Sequence, residues 1–162
     1  MMNLSVSQPN ISEEITCPVI VALDFDEPHA CLDFAKRLHP DLCQLKIGKE
    51  LFTASGRAMV ETLIDMGFRL FLDLKYHDIP NTVAHACKVA AQMGVWMVDV
   101  HALGGRRMMQ AAKEAISSFS NPPLLIGVTI LTSMEQQDLQ EIGINELPQD
   151  MVLRLARLTH SS

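Results

Sequence analysis

The sequence predicts an α/β protein, an incomplete (β/α)8 TIM barrel of about five βα units. Short apolar strands alternate with amphipathic helices, and the strands recur about every 24 to 29 residues, the spacing of parallel strands joined by crossover helices. Polar residues follow successive strands. The 162 residues are fewer than the roughly 250 that eight units usually need, so the last three strands are not expected within this chain.

The first unit is predicted to be a strand from Val19 to Asp24 followed by a helix. Asp26 is the predicted cap of this helix, and Pro28 falls in its first turn, where the missing N–H of proline costs nothing. Five residues are predicted to share the buried face of the helix: Ala30, Cys31, Phe34, Ala35 and Leu38.

The later units repeat this form. Strands are predicted at residues 42–47, 69–75, 95–101 and 124–131. The second helix runs through residue 66 and the third from about 81 to 93, closed by Gly67 and Gly94. The fourth helix follows a glycine pair and ends near residue 116. After the fifth strand, Ser133 and Gln136 resemble a capping box, and a last helix is predicted from about 150 to 158.

Polar residues distinguish a barrel from an open doubly wound sheet. They lie at or just past the carboxyl ends of successive predicted strands: Asp24, Lys46, Lys75, His101 and Thr132. A barrel collects its active site from all of its strand ends, whereas an open sheet concentrates polar groups at one switch point. The distribution therefore favours barrel topology.

Composition limits the classes of function. The chain is 48% hydrophobic and 20% charged with a formal charge of −6, which is ordinary for a soluble globular protein and argues against affinity for nucleic acid or an anionic membrane. No segment is long enough to span a membrane. The four cysteines are scattered, which predicts neither zinc nor disulfides and suits the cytoplasm. Residues 1–16 are interpreted as a mobile leader, and residues 17–162 as the barrel domain.

The third strand carries the most charge. Asp73 and Lys75 are predicted to share one strand face with Phe71, while the intervening leucines take the other. Burying one charge unpaired would cost several kcal/mol, so a paired network is expected, with Asp78 as a further member. From these residues alone, a structural ion pair and a catalytic pair are about equally plausible.

The other polar residues also have ordinary structural interpretations. Asp78 lies two residues before a proline and suits a helix cap, and Asp24 suits a turn. Taken alone, Lys46 is more often an ordinary lysine whose aliphatic stem is buried and whose ammonium reaches solvent. Thr132 taken alone is a signal for the start of a helix. Their joint occurrence in order along one predicted rim favours a shared site.

Five segments in order resemble orotidine 5′-monophosphate decarboxylases of the bacterial type. They are Val19 to Asp24, Leu45 to Gly48, Leu72 to Thr82, Val98 to Ala102 and Val128 to Ser133, and the resemblance runs from about Cys17 onward. The third segment, Asp-x-Lys-x-x-Asp followed by Ile-Pro-Asn-Thr, is highly specific. The resemblance implies a homodimeric (β/α)8 barrel that makes uridine 5′-monophosphate without a metal or organic cofactor.

The resemblance also implies roles for individual residues. Lys75 would stabilise the carbanion at C6 and protonate it, flanked by Asp73 and Asp78. Lys46 would complete the alternating array and contact ribose, as Asp24 would. The remaining expected substrate-binding residues are Ile79 and Thr82, which with Asp78 reach the partner's site, and Thr132 near the pyrimidine. His77, His85 and His101 are assigned no catalytic role.

Two alternatives remain. Metal-dependent sugar-phosphate decarboxylases and synthases share the third-strand motif but hold Mg²⁺ with a second-strand carboxylate, where this chain has Lys46. Alternatively, the chain is an inactive fragment that at most self-associates. The Pro-Gly-Ile-Arg-like and Gly-Arg segments that grip phosphate in the family do not follow Thr132, so these 162 residues alone are expected to show little or no activity.

Overall fold

The computed structural model describes residues 17–162. Five β-strands alternate with helices along the chain. The strands are β1 (Ile20–Ala22), β2 (Gln44–Ile47), β3 (Leu70–Tyr76), β4 (Met97–His101) and β5 (Leu124–Val128). The helices are α1 (Pro28–Ala35), α2 (Lys49–Asp65), α3 (Pro80–Gln92), α4 (Gly105–Ile116), α5 (Gln136–Glu141) and α6 (Pro148–His160). The predicted leader at residues 1–16 lies outside the described residues.

The strands form one parallel sheet in the order β1-β2-β3-β4-β5. Every strand is therefore hydrogen-bonded to its neighbour in the chain, with a helix in each crossover. A doubly wound sheet would reverse its strand order at a switch point, and this sheet does not. The order is that of consecutive strands in a (β/α)8 barrel, which confirms the predicted fold class.

The two faces of the sheet differ in polarity. On β2 and β3, Leu45, Ile47, Leu70 and Leu72 are fully buried against the helices in the first of two hydrophobic clusters. The second cluster joins α3, α4 and α6 to the end of β4. Because side chains alternate along a strand, Lys46 and its neighbours point to the opposite face, which is the interior of a barrel. The helices thus hold the sheet from one side and leave the other side for the site.

Several local predictions about helix ends were wrong. Helix α1 has Glu27 rather than Asp26 at its N-cap, without a side-chain cap hydrogen bond, and Ala30 is exposed. Helix α5 has its capping box at Glu135 and Asp138, where the Glu135 backbone donates to Asp138, not at Ser133 and Gln136. Local sequence offered several oxygen-bearing residues at each site, and the path of the preceding loop decided which one capped the helix.

Other boundaries agree within a few residues. The glycines that end α2 and α3 have φ angles of 94° and 81°, a left-handed conformation that lacks the usual steric cost in glycine, as the sequence predicted for Gly67 and Gly94. Strand β5 ends at Val128, three residues before the predicted end, so Thr132 lies in a turn beyond it. No helix in the described part of the chain combines the length and apolarity needed to cross a membrane.

Candidate active site

A row of alternating charges crosses three neighbouring strands. The Lys46 Nζ on β2 lies 3.1 Å from Asp73 Oδ2 on β3 and 3.9 Å from Asp24 Oδ1, just past β1. Asp73 also accepts a hydrogen bond from the Lys75 ammonium. Two carboxylates and two ammonium groups therefore alternate in the order Asp24, Lys46, Asp73 and Lys75. Adjacent opposite charges stabilise one another most where water is partly excluded.

Burial increases toward the centre of this row. The side chain of Asp24 is 74% exposed, so its pairing with Lys46 contributes little to stability. Asp73 is 11% exposed, while Lys75 retains 27%. The ammonium of Lys75 can therefore reach a ligand on the inner face of the sheet while its carboxylate partner stays fixed below it.

Lys75 occupies an unusual backbone conformation. Its φ angle is 52°, and no other non-glycine residue among residues 17–162 has a positive φ. A left-handed conformation costs an L-residue about 1–2 kcal/mol. The pairing of β3 with β4 also shifts here: Leu72 lies opposite Val98 but Tyr76 lies opposite Val100. Residues 73–75 thus bulge from the strand, a distortion that commonly re-aims a side chain at a functional site.

Asp99 on β4 lies opposite this bulge and is 1% exposed. Its Oδ1 accepts a hydrogen bond from the backbone amide of Lys75 at 2.8 Å, and its Oδ2 lies 3.9 Å from Lys75 Nζ. Its carboxyl group also lies close enough to that of Asp73 for the two to influence each other's pKa. Asp99 therefore lies beside both Asp73 and Lys75.

The two carboxyl groups divide one proton unequally. Burial and the neighbouring Asp73 raise the pKa of Asp99, the Lys75 backbone amide and ammonium lower it, and the net effect is a pKa raised to about 7. Burial would also raise the pKa of Asp73, but hydrogen bonds from Asp99, Lys75 and Lys46 outweigh it and lower that pKa to about 2. Asp73 keeps its negative charge because it has two close lysines, and Asp99 holds a proton to a higher pH than Asp73 does.

Asp99 was not among the site residues predicted from the sequence. The available clue was a single acidic residue within the apolar strand Met97–His101. An isolated acid in such a strand needs a polar partner when buried. Its partner, however, is a backbone amide released by a bulge in the next strand, and that bulge is not visible in the sequence.

Three predicted site residues lie apart from the charge row. Asp78 Oδ1 accepts a hydrogen bond from the backbone N–H of Ile79, and among the ion pairs of the described residues none involves Asp78. Ile79, not Asp78, is the N-cap of α3. Ile79 is 66% exposed, and Thr82 is exposed on the first turn of α3. The structure thus places these side chains outward.

A groove of about 580 Å³ lies beside this outward segment. Its lining comes from the β3–α3 loop and the turn after β4: His77, Asp78, Ile79, Pro80, Leu103 and Gly104. The groove therefore continues the carboxyl edge of the sheet away from Lys75. Thr132 lies in the turn after β5 and is exposed there.

The histidines do not join the charge row. The rings of His77 and His101 are 5.3 Å apart and tilted by 36°. Burial, followed by the positive charges of His77, Lys49 and Lys75, lowers the pKa of His101. Its buried Nδ1 has no hydrogen-bond partner among the described residues, and His85 is exposed on α3. His101 is thus a neutral ring next to the site.

The donor set suits an anionic substrate better than a metal ion. In the described portion of the chain, no three His, Cys, Asp or Glu side chains are grouped so as to hold a metal ion. Asp73, the central carboxylate, is already paired with two lysines. All four cysteines are free thiols.

Five consecutive parallel strands with alternating lysines and carboxylates at their carboxyl edge define a barrel-type α/β protein with a charged candidate site. Residues 18–162 match the orotidine 5′-phosphate decarboxylase / HUMPS family. The chain belongs to this family.

Individual relatives agree with this assignment. The chain is 63% identical over 161 residues to orotidine 5′-phosphate decarboxylase from Neisseria meningitidis serogroup C, covering 99% of this chain and 65% of the relative. It is 65% identical over 144 residues to the enzyme of the same name from Hydrogenovibrio crunogenus, covering 89% of this chain and 61% of the relative. The chain therefore spans less than two thirds of these relatives' length.

The fold of a solved relative is also similar. The crystal structure of orotidine 5′-phosphate decarboxylase from Lactobacillus acidophilus superposes with a TM-score of 0.83 at 37% sequence identity, covering 90% of this chain and 68% of that chain. This similarity agrees with the barrel topology derived above from strand order.

Proposed function

We propose that the complete gene product decarboxylates orotidine 5′-monophosphate to uridine 5′-monophosphate, a step of pyrimidine biosynthesis, and that this chain carries the reacting side chains. Because the chain spans about 65% of the relatives' length, the activity is proposed for the whole protein. The observation that carries the proposal is the row Asp24, Lys46, Asp73 and Lys75 on the inner face of a barrel-type sheet in a member of this family.

The row suits the electronic demand of this reaction. When the bond between C6 and the carboxyl group breaks, carbon dioxide leaves and the electron pair stays on C6, where the pyrimidine ring cannot delocalise it well. A fixed ammonium beside C6 stabilises that charge in the transition state, and each tenfold in rate needs about 1.4 kcal/mol of such stabilisation. The Lys75 Nζ then gives C6 a proton, and solvent returns one to Lys75.

The surrounding residues are proposed to hold the substrate. Lys46 and Asp24 contact the ribose, since they lie next to Asp73 and toward the more exposed end of the row. Thr132 contacts the pyrimidine from the turn after β5. These contacts supply binding energy away from the reacting bond, which an enzyme can use to orient the substrate.

A homodimer with shared sites is part of the proposal. Asp78, Ile79 and Thr82 complete the site of the partner subunit, and their outward position beside the groove supports this arrangement. The location proposed is the cytoplasm, with no nucleic-acid partner. The formal charge of −6 favours a small substrate held by local lysines over a polyanion.

The metal-dependent alternative from the wider family is disfavoured by Lys46. Its ammonium lies 3.1 Å from Asp73 Oδ2, where a divalent ion sharing that carboxylate would be repelled. We therefore propose catalysis without a metal or organic cofactor. Activity that survives excess chelator supports this, and activity that is lost and then restored by Mg²⁺ contradicts it.

The decisive experiment measures uridine 5′-monophosphate formation from orotidine 5′-monophosphate by the purified complete gene product. Turnover at an ordinary enzymatic rate, with and without chelator, is the expected result. No turnover by a folded, mass-verified protein refutes the proposal. The 162-residue chain assayed in parallel is expected to show little or no turnover, because relatives that match it are longer by about half.

A further inference from the structure

We propose that Asp99 is a positioning residue for the reaction, holding the Lys75 backbone and the Asp73 carboxylate in one fixed relation without contacting substrate. This inference rests on the proposed function. Asp99 lies on β4, one strand away from both residues, with 1% of its surface exposed.

The first contact secures the backbone of Lys75. In a regular parallel ladder the N–H of a strand residue bonds a carbonyl of the next strand. The bulge between Leu72 and Tyr76 interrupts that ladder at the point where Lys75 takes its positive φ. The Lys75 amide instead donates its hydrogen bond to a carboxyl oxygen of Asp99, at 2.8 Å. A strained backbone persists only where its surroundings fix it, and this hydrogen bond supplies the fixing contact.

The second contact orients Asp73. Asp99 faces the Asp73 carboxylate, which is paired with Lys46 and Lys75, and in its protonated form the Asp99 carboxyl group can donate a hydrogen bond to Asp73. A neutral Asp99 can accept from the Lys75 amide and donate to Asp73 at the same time. An ionised Asp99 would repel Asp73 and attract the Lys75 ammonium, whose Nζ is only 3.9 Å away, from its working position.

The environment of Asp99 raises its pKa and so favours its neutral form. Asp73 and Lys75 face it from β3, and Tyr76 on the same strand and Cys87 on α3 lie close to it. Burial, followed by the nearby Cys87 and Asp99 groups, raises the pKa of Tyr76 to about 12, and burial followed by Asp99 raises the pKa of Cys87 to about 12. Tyr76 and Cys87 are thus uncharged near neutrality. Of the four neighbours named here, Lys75 is the positively charged one.

Two substitutions of similar size test whether the polar contacts of Asp99 matter or only the volume of its side chain. In Asp99→Asn the amide oxygen can accept from Lys75 and the amide N–H can donate to Asp73, so both contacts survive. Asp99→Leu fills the space and keeps neither contact. In the complete gene product we expect Asp99→Asn to retain kcat within about threefold. We expect Asp99→Leu to lower kcat by about 100-fold with a much smaller change in KM, since small misplacements of reacting groups cost about that factor.

A control variant tests for a general loss of stability. Val98→Ala truncates a fully buried residue next to Asp99 whose side chain points to the helices. It should lower Tm and leave kcat near that of the wild type. The positioning role is overturned if Asp99→Leu keeps the wild-type kcat, or if Asp99→Asn loses as much as Asp99→Leu.

Hydrogen exchange of the Lys75 amide gives a readout independent of activity. This amide should exchange slowly in the wild type and in Asp99→Asn, and at least about tenfold faster in Asp99→Leu, because its buried acceptor is gone. Equal exchange in all three proteins overturns the contact. A wild-type protein that does not convert orotidine 5′-monophosphate refutes the proposed function, and the exchange rates then decide separately whether Asp99 holds Lys75.

Discussion

The Lys46 ammonium on β2 lies 3.1 Å from a carboxylate oxygen of Asp73 on β3, and the other oxygen of that carboxylate is bonded to Lys75. One carboxylate therefore separates two ammonium groups that would otherwise repel each other. Its charge is central both to the stability of the sheet edge and to the proposed chemistry.

Replacement of Asp73 by Asn should expose this dependence. The amide keeps the shape but leaves Lys46 and Lys75 without their common counterion, so we expect kcat for decarboxylation to fall by about 10²–10⁴-fold. Steady-state kinetics on the complete gene product measure this. Glu114→Gln, which neutralises an exposed acid on α4, is the control and should leave kcat unchanged. A full wild-type kcat in Asp73→Asn would contradict the role of the charge.

The same residue should stabilise the fold in a pH-dependent way. The pKa of Asp73 is lowered in the folded protein to about 2 from an ordinary value of 3.8. Its contribution is therefore present above about pH 4 and is lost as the pH falls through about 2. Urea unfolding across this range should show a stability difference between wild type and Asp73→Asn that shrinks as the pH falls. A difference that stays constant would refute the lowered pKa.

Asp99 should have the opposite pH dependence. Its pKa is raised to about 7, so the folded state favours its protonated form, and the resulting stability is complete below about pH 4 and is lost as the pH rises through about 7. Asp99→Asn cannot ionise. Its stability relative to wild type should therefore increase by about 1–3 kcal/mol between pH 4 and pH 8, as measured by urea unfolding. Parallel curves for the two proteins would contradict this assignment of the proton.

Lys75→Ala should remove both the proton donor and the fixed positive charge beside C6. We expect kcat to fall by at least about 10³-fold while circular dichroism remains that of the wild type. Lys88→Ala, on the exposed side of α3, is the matched control. Near-normal turnover in Lys75→Ala would rule out Lys75 as the acid.

The packing of α6 on β5 depends on a glycine. A Cβ atom at Gly127 would lie 2.5 Å from Cγ2 and 2.6 Å from Oγ1 of Thr159. Gly127→Ala should therefore lower the free energy of unfolding by about 1–3 kcal/mol. Thr159→Ala removes both clashing atoms. In a protein that already carries Thr159→Ala, Gly127→Ala should therefore cost less stability than it does in the wild type. Thermal unfolding of the four proteins in this cycle checks the prediction, and purely additive effects would contradict it.

Much of the fold follows from the sequence because its determinants are local and repeated. The apolar strand segments, the glycines after α2 and α3 and the order of polar strand ends predict a consecutive parallel sheet. Helix caps were predicted less well, as Asp26 and Ser133 illustrate, because several nearby residues can serve and the loop path selects one.

The sequence by itself determined which charged residues are present at the carboxyl edge, and therefore that Asp24, Lys46, Asp73 and Lys75 would come together in a parallel barrel sheet. Only the tertiary structure decided how Lys75 is presented. A bulge in β3 frees its backbone amide, and Asp99 from the next strand binds it. The reason is physical: strand periodicity is encoded residue by residue, whereas a bulge and its buried hydrogen-bond partner depend on the register of two strands that are 24 residues apart in the chain.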